Sequence, residues 1–196
     1  MTVGIFSGSF NPVHIGHLML ANFVTEYTAI DEVWFVVSPH NPLKKSADLL
    51  DEDKRYEMVR LALEDFPKMK ACDFEFSLPR PSYTVDTLDA LRKQFPEHLF
   101  SLIIGGDNWA NFTKWKDYQT IIDRHKLYVY PRLHVRPVID EALNDRAVIL
   151  DAPIIEISST FIRQSICKGK NLKAFLPTKV YDYIEENKLY RDEEPA

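Results

Sequence analysis

Two histidines stand three residues apart in a run of small residues: Ser7-Gly8-Ser9-Phe10-Asn11-Pro12-Val13-His14-Ile15-Gly16-His17. Gly8 and Ser9 let backbone approach a ligand closely, and Pro12 stiffens the turn. Gly16 permits close approach where a helix begins. His17 then falls in the positive first turn of that helix, where anions are favoured. One isolated histidine here would read as a turn cap. Two of them, straight after a strand and with a glycine between, point to a bound anion. The run is neither GxxxxGK[ST], GxGxxG nor HExxH, so a Walker loop, a dinucleotide fingerprint and a zinc protease are excluded at the motif level.

A second run lies far along the chain: Ile157-Ser158-Ser159-Thr160-Phe161-Ile162-Arg163. Serine or threonine before a helical pattern is a common N-cap. Arg163 sits one turn inside that start, so its guanidinium can share an anion site with the exposed backbone amides. The other histidines, His40, His98, His125 and His134, read as surface or loop residues.

These residues need a frame. Apolar runs Thr2–Phe6, Val33–Ser38, Ala71–Phe76, Leu99–Ile104, Leu127–Tyr130 and Val148–Leu150 predict strands. Helical patterns lie between and after them: about His17–Thr28, from Asp51 through Phe66, Thr84–Phe95, Lys116–Arg124, Thr160–Lys168 and Thr178–Asn187. Alternating β and α units imply an α/β fold, a Rossmann-like doubly wound and mostly parallel sheet with helices on both faces. Ligands of such sheets bind beyond the carboxyl ends of the strands, where the strand order reverses. The two histidines occupy such a place.

The chain has 196 residues, of which 45% are hydrophobic, enough for one domain with a substantial core. A formal charge of −5 argues against a broad nucleic-acid surface but leaves a small anionic ligand open. Cys72 and Cys167 are far apart and outside any CxxC pattern, which suits a reducing compartment. No leader precedes Val3, and no apolar run reaches bilayer length. The expectation is a soluble, cytoplasmic protein with no nucleic-acid or membrane partner.

The Ser-Phe-Asn-Pro-x-His-x-Gly-His run and the Ile-Ser-Ser-Thr-x-Ile-Arg run together resemble the HxGH nucleotidyltransferase superfamily. Within it the chain resembles the bacterial nicotinate-nucleotide adenylyltransferases, from Val3 to about Leu189. "PSYTVDTL" from Pro81, "IIGGDNW" from Ile103 and "KWKDYQTII" from Lys114 carry the closer likeness. Departures are Ser7 in place of a first glycine, Asn11 where aspartate is common, and Lys116 where an aromatic often stands. The resemblance implies a single nucleotidyltransferase domain over residues 1–189. Its helical part, about 158–189, carries the second motif, and residues 190–196 form a flexible tail.

The implied reaction joins ATP to nicotinate mononucleotide, giving deamido-NAD and pyrophosphate in NAD biosynthesis. The acceptor phosphate attacks the α-phosphorus directly, so positioning and charge stabilisation dominate. The resemblance makes His14, His17 and Arg163 catalytic. It places Gly8, Ser9, Phe10, Gly105, Asp107, Ser158 and Ile162 around ATP. It places Ser82, Tyr83, Thr84 and Trp115 around nicotinate mononucleotide, with Trp115 stacked on the ring and the Ser82–Thr84 amides on the carboxylate. Lys44 or Lys45 would meet phosphate. Mg²⁺ would be held by substrate phosphates and water, with no protein metal site. Asp107 read alone is a helix N-cap. The rivals are a pantetheine-phosphate adenylyltransferase, a cytidylyltransferase, a nucleotide sensor without turnover and a zinc-binding structural protein. The sequence leaves the oligomeric state open.

Overall fold

The computed structural model describes residues 1–39, 49–133, 135, 137–143 and 145–191. Six strands form one sheet: β1 Thr2–Gly8, β2 Glu32–Val37, β3 Met69–Cys72, β4 Leu99–Gly105, β5 Leu127–Tyr130 and β6 Ala147–Ile149. Their order is β3-β2-β1-β4-β5-β6, and every neighbouring pair is parallel. The order reverses between β1 and β4, which sets a crevice at the carboxyl ends of these two strands.

The strands read as near-continuous apolar runs because both faces are covered. On β2, Val33, Phe35 and Val37 face one core, and Trp34 and Val36 face the other. The first core receives α1 (Ile15–Tyr27), α2 (Glu52–Leu63), α6 (Ser159–Cys167) and α7 (Thr178–Glu186). The second receives α3 (Thr84–Gln94) and α5 (Tyr118–Arg124). A single turn, α4 (Gly106–Trp109), follows β4 directly.

Several boundaries differ from the sequence reading. The first helix starts at Ile15, with His14 as its N-cap. The run Ala71–Phe76 is not one strand. After Cys72 the chain turns into a 3-10 segment, Phe74–Ser77, which directs the buried Glu75 carboxylate at hydroxyls of Ser82 and Thr87. The helix expected from Lys116 starts at Tyr118, because Asp117 is in the left-handed region at φ 47°. His125 is buried, and its Nδ1 lies 2.8 Å from the Phe100 carbonyl oxygen, so it is no surface residue. Tyr190 is buried too, so the tail expected from residue 190 does not begin there. Residues 192–196 lie outside the described residues. Among the described residues, no helix is long and apolar enough to cross a membrane.

Candidate active site

A cleft of about 520 Å³ opens at the reversal of strand order. Its floor is the end of β1 and the loop to α1. One wall is the start of α6, and the other follows β4 and β5.

The loop is held from within. Phe10 has φ 43°, a left-handed conformation that costs a non-glycine residue about 1 kcal/mol or more. Its ring offsets this by packing among Phe6, Phe35 and His17, with centroids 5.1–5.6 Å away. A Cβ on Gly8 would stand 3.1–3.3 Å from that ring, so the glycine makes room for it. Phe10 therefore serves the cleft through its backbone, while its side chain belongs to the core.

The histidines organise the helix start together. The His14 backbone N–H donates to Nδ1 of His17 at 3.1 Å, and the His17 N–H donates to the His14 carbonyl oxygen at 2.9 Å. The rings stack 3.7 Å apart. With Nδ1 accepting, the neutral form of the His17 ring carries its proton on Nε2. His14 is buried, and its Nδ1 has no hydrogen-bond partner among the described residues. Such an atom on a cleft wall marks a place for a ligand. Burial, joined by the nearby Arg132 charge, lowers the His14 pKa to about 4, so the ring is neutral at pH 7. A Cβ on Gly16 would lie 3.1 Å from His14 Nδ1, which explains the glycine between the two histidines.

The second motif docks on the first. The Ser159 hydroxyl donates to the Pro12 carbonyl oxygen at 2.9 Å, and Arg163 donates to the Asn11 carbonyl oxygen at 3.0 Å. Ser158 caps α6 by accepting from the Phe161 N–H at 3.1 Å. The Asn11 side chain accepts from the Tyr190 hydroxyl at 2.9 Å. Segments separated by some 150 residues of sequence thus share one loop.

Gly8, Ser9, Phe10, His14, His17, Asp107, Ser158 and Arg163 all line the cleft. Ile162 does not: it is fully buried in the first core and supports the wall from behind. Gly105 is the N-cap of α4, so Asp107 is inside that turn and is not its cap. Asp107 lies 3.6 Å from Arg132 Nε. Lys44 and Lys45, with His40 and His134, lie outside the described residues.

The other expected group assembles separately, at the start of α3. Trp115 packs on Phe112, and Lys116 pairs with Asp86 at 2.9 Å while lying 4.8 Å above the Tyr83 ring. Ser82–Thr84 and Trp115–Lys116 are therefore neighbours, although none of them lines the cleft.

Two buried charges were missed by the sequence reading. Arg55 is fully buried and donates to the carbonyl oxygens of Leu50, Ser9, Ser38 and Pro39 at 2.7–3.0 Å. Nothing in an ordinary amphipathic helix pattern marks it. The buried Glu75 carboxyl is pushed up by burial, against the hydroxyls of Thr87, Ser82 and Ser38 that favour its charged form. Arg132, on the cleft wall, had a signal: it follows the end of β5 by two residues, where the strand-end rule directs attention.

Comparison with known proteins is consistent along nearly the whole chain. Residues 5–165 match the family model described as cytidylyltransferase-like. A protein of Flavobacterium johnsoniae, named "Probable nicotinate-nucleotide adenylyltransferase", is 48% identical over 192 residues, covering 97% of this chain and all of the relative. One of the same name from Bacteroides thetaiotaomicron is 50% identical over 186 residues, covering 95% and 92%. The fold is similar to that of Plasmodium falciparum nicotinic acid mononucleotide adenylyltransferase complexed with NaAD. There the TM-score is 0.79, identity is 20%, and 98% of each chain is covered.

Proposed function

The chain belongs to the nicotinate-nucleotide adenylyltransferase family, and on that premise we propose how its cleft transfers the adenylyl group of ATP to nicotinate mononucleotide. The products are deamido-NAD and pyrophosphate, a step of NAD biosynthesis. The single observation that carries the assignment of the site is the docking of Arg163 and Ser159 onto the His14–His17 loop. It gathers imidazoles, a guanidinium and helix amides at one place, as a polyphosphate requires.

The mononucleotide phosphate is anionic near neutral pH and needs no general base. Its oxygen forms a bond to the α-phosphorus of ATP while the bond to the bridging oxygen of pyrophosphate breaks. The site's work is to hold two anions in line and to stabilise the charge that develops on the leaving group. His17 donates through Nε2. His14, kept neutral, contributes a hydrogen bond at no cost in protonation. Arg163 and Arg132 bring fixed positive charge to the two walls. Gly8, Ser9 and Phe10 supply close backbone, and Gly105, Asp107, Ser158 and Ile162 form or support the nucleoside end.

A divalent metal is general for nucleotidyl transfer from ATP, and Mg²⁺ is the ion we propose. The donor set fits it: Asp107 is the one carboxylate among the described residues of the cleft wall, and Mg²⁺ favours one or two carboxylates with phosphate oxygens and water. When bound, the ion would neutralise charge on the phosphates.

The acceptor ring belongs at the start of α3, with Trp115 against the ring and the Ser82–Thr84 amides toward its carboxylate. A carboxamide would turn an N–H donor toward those donors, a mismatch of about 1–3 kcal/mol before loss of charge. Residues 1–189 act as one nucleotidyltransferase domain with the second motif in its C-terminal helical part, and a cytoplasmic setting suits a chain with two cysteines far apart in sequence. Pyrophosphate release from ATP tests the reading. Nicotinate mononucleotide should be preferred over the nicotinamide form at least about a hundredfold in kcat/KM. Comparable values would place the ring elsewhere, and no turnover with either acceptor would overturn the assignment.

A further inference from the structure

The start of α3 has no side-chain cap of its own, since Tyr83 occupies the N-cap position and makes no capping bond. What fixes it is a buried carboxylate from another element. Glu75, in the 3-10 segment after β3, is 4% exposed. It accepts from the Ser82 hydroxyl at 3.1 Å and from the Thr87 hydroxyl at 2.9 Å. Thr87 also bonds back to the Tyr83 carbonyl oxygen at 3.3 Å, so both ends of the first turn of α3 are tied to Glu75. The Ser38 side chain is near enough to favour the charged form of Glu75. Ser38 in turn lies 3.1 Å, hydroxyl to hydroxyl, from Ser7 at the end of β1. A chain of polar groups, Ser7–Ser38–Glu75–Ser82, thus runs from the floor of the ATP cleft to the acceptor segment.

Nothing in packing requires this arrangement. A carboxylate is costly to bury, and hydroxyl donors are needed to hold it. An apolar residue would fill the same space more cheaply. Glu75 does not line the cleft, and its oxygens are occupied by the hydroxyls around it. Its effect must therefore pass through the residues it holds.

We propose that Glu75 is a positioning residue for the acceptor: it sets the Ser82–Thr84 segment in register with the ATP cleft, so that acceptor phosphate and α-phosphorus meet in line. This rests on the assignment of Ser82–Thr84 to the nicotinate ring. The specific consequence is a split between the two substrates. Loss of Glu75 should weaken the acceptor and the rate, and leave ATP binding nearly alone, because the ATP loop is held independently by Arg55, Arg163 and Tyr190.

The test begins with wild-type enzyme and nicotinate mononucleotide, whose preference over the nicotinamide form checks the underlying assignment. Glu75→Ala and Glu75→Gln are then compared. In Glu75→Ala, KM for nicotinate mononucleotide should rise at least about tenfold, while KM for ATP changes by less than about twofold. Glu75→Gln keeps the shape and can still bond Thr87 and Ser82, so it should recover most of the acceptor affinity. Equal weakening of both substrates would mean a merely structural role and would overturn the proposal, as would an unchanged acceptor KM in folded Glu75→Ala. Should Glu75→Ala fail to fold, Thr87→Val decides. It is of similar volume and removes one donor, so a rise in acceptor KM of about threefold with constant ATP KM supports the proposal, and no change overturns it. A wild-type enzyme without acceptor preference would sink the ring assignment instead, a result distinct from failure of the split.

Discussion

At the scale of single residues, the two histidines divide their labour. His17 holds the helix start through Nδ1, and its proposed task is to donate to the polyphosphate. His17→Ala should lower kcat by about 10²-fold or more in a folded protein, read from steady-state pyrophosphate release. An unchanged kcat would leave His17 as a helix cap only. His14 carries a different signature. Its pKa near 4 in the fold lies below its ordinary 6.5, so the unfolded chain takes up the proton first. Its contribution to stability is complete above about pH 6.5 and is lost as pH falls toward 4, on the order of 3 kcal/mol in all. Urea titrations across that window should show the slope, and His14→Gln should flatten it. Both residues were legible in sequence because imidazole at that spacing is rare outside chemistry. Their unequal environments were not, because the Arg132 charge acts on His14 from far along the sequence, and Gly16 carries no side-chain signal.

At the scale of elements, the strands and the larger helices were legible because each obeys one period. Where the reading slipped, the period broke locally or a side chain was buried. The third strand ends at Cys72, before the 3-10 segment that carries Glu75, and the left-handed Asp117 delays α5. Arg55 is the clearest case. On α2 it looks like any charged residue of an amphipathic helix, yet it is the buried tie among three segments at the carboxyl end of the sheet. Its guanidinium has four carbonyl oxygens to satisfy and no carboxylate in salt-bridge contact among the described residues. Arg55→Met would fill the space and leave those acceptors without donors. The expected loss is about 3–5 kcal/mol of stability, measured by chemical denaturation. A loss below about 1 kcal/mol would show that the loops stand without it.

At the scale of the whole molecule, the cleft is a meeting place of segments far apart in sequence. The C-terminal Tyr190 and the Arg163 of α6 both hold Asn11, in the first loop. Tyr190→Phe removes one hydroxyl from a buried bond and should cost about 1–2 kcal/mol in thermal unfolding, with a measurable rise in KM for ATP. An unchanged stability and KM would make that contact incidental. The same closure sets a timetable for the newborn enzyme. Chains emerge from the ribosome N-terminus first at about 5–20 residues per second. The loop bearing both histidines is therefore made on the order of 10–40 s before the tyrosine that braces it. During that interval the strand and turn exist without their clasp, and a half-made chain has no complete grip on polyphosphate. Competence to consume ATP is in this way deferred until Tyr190 has been made and has closed on Asn11.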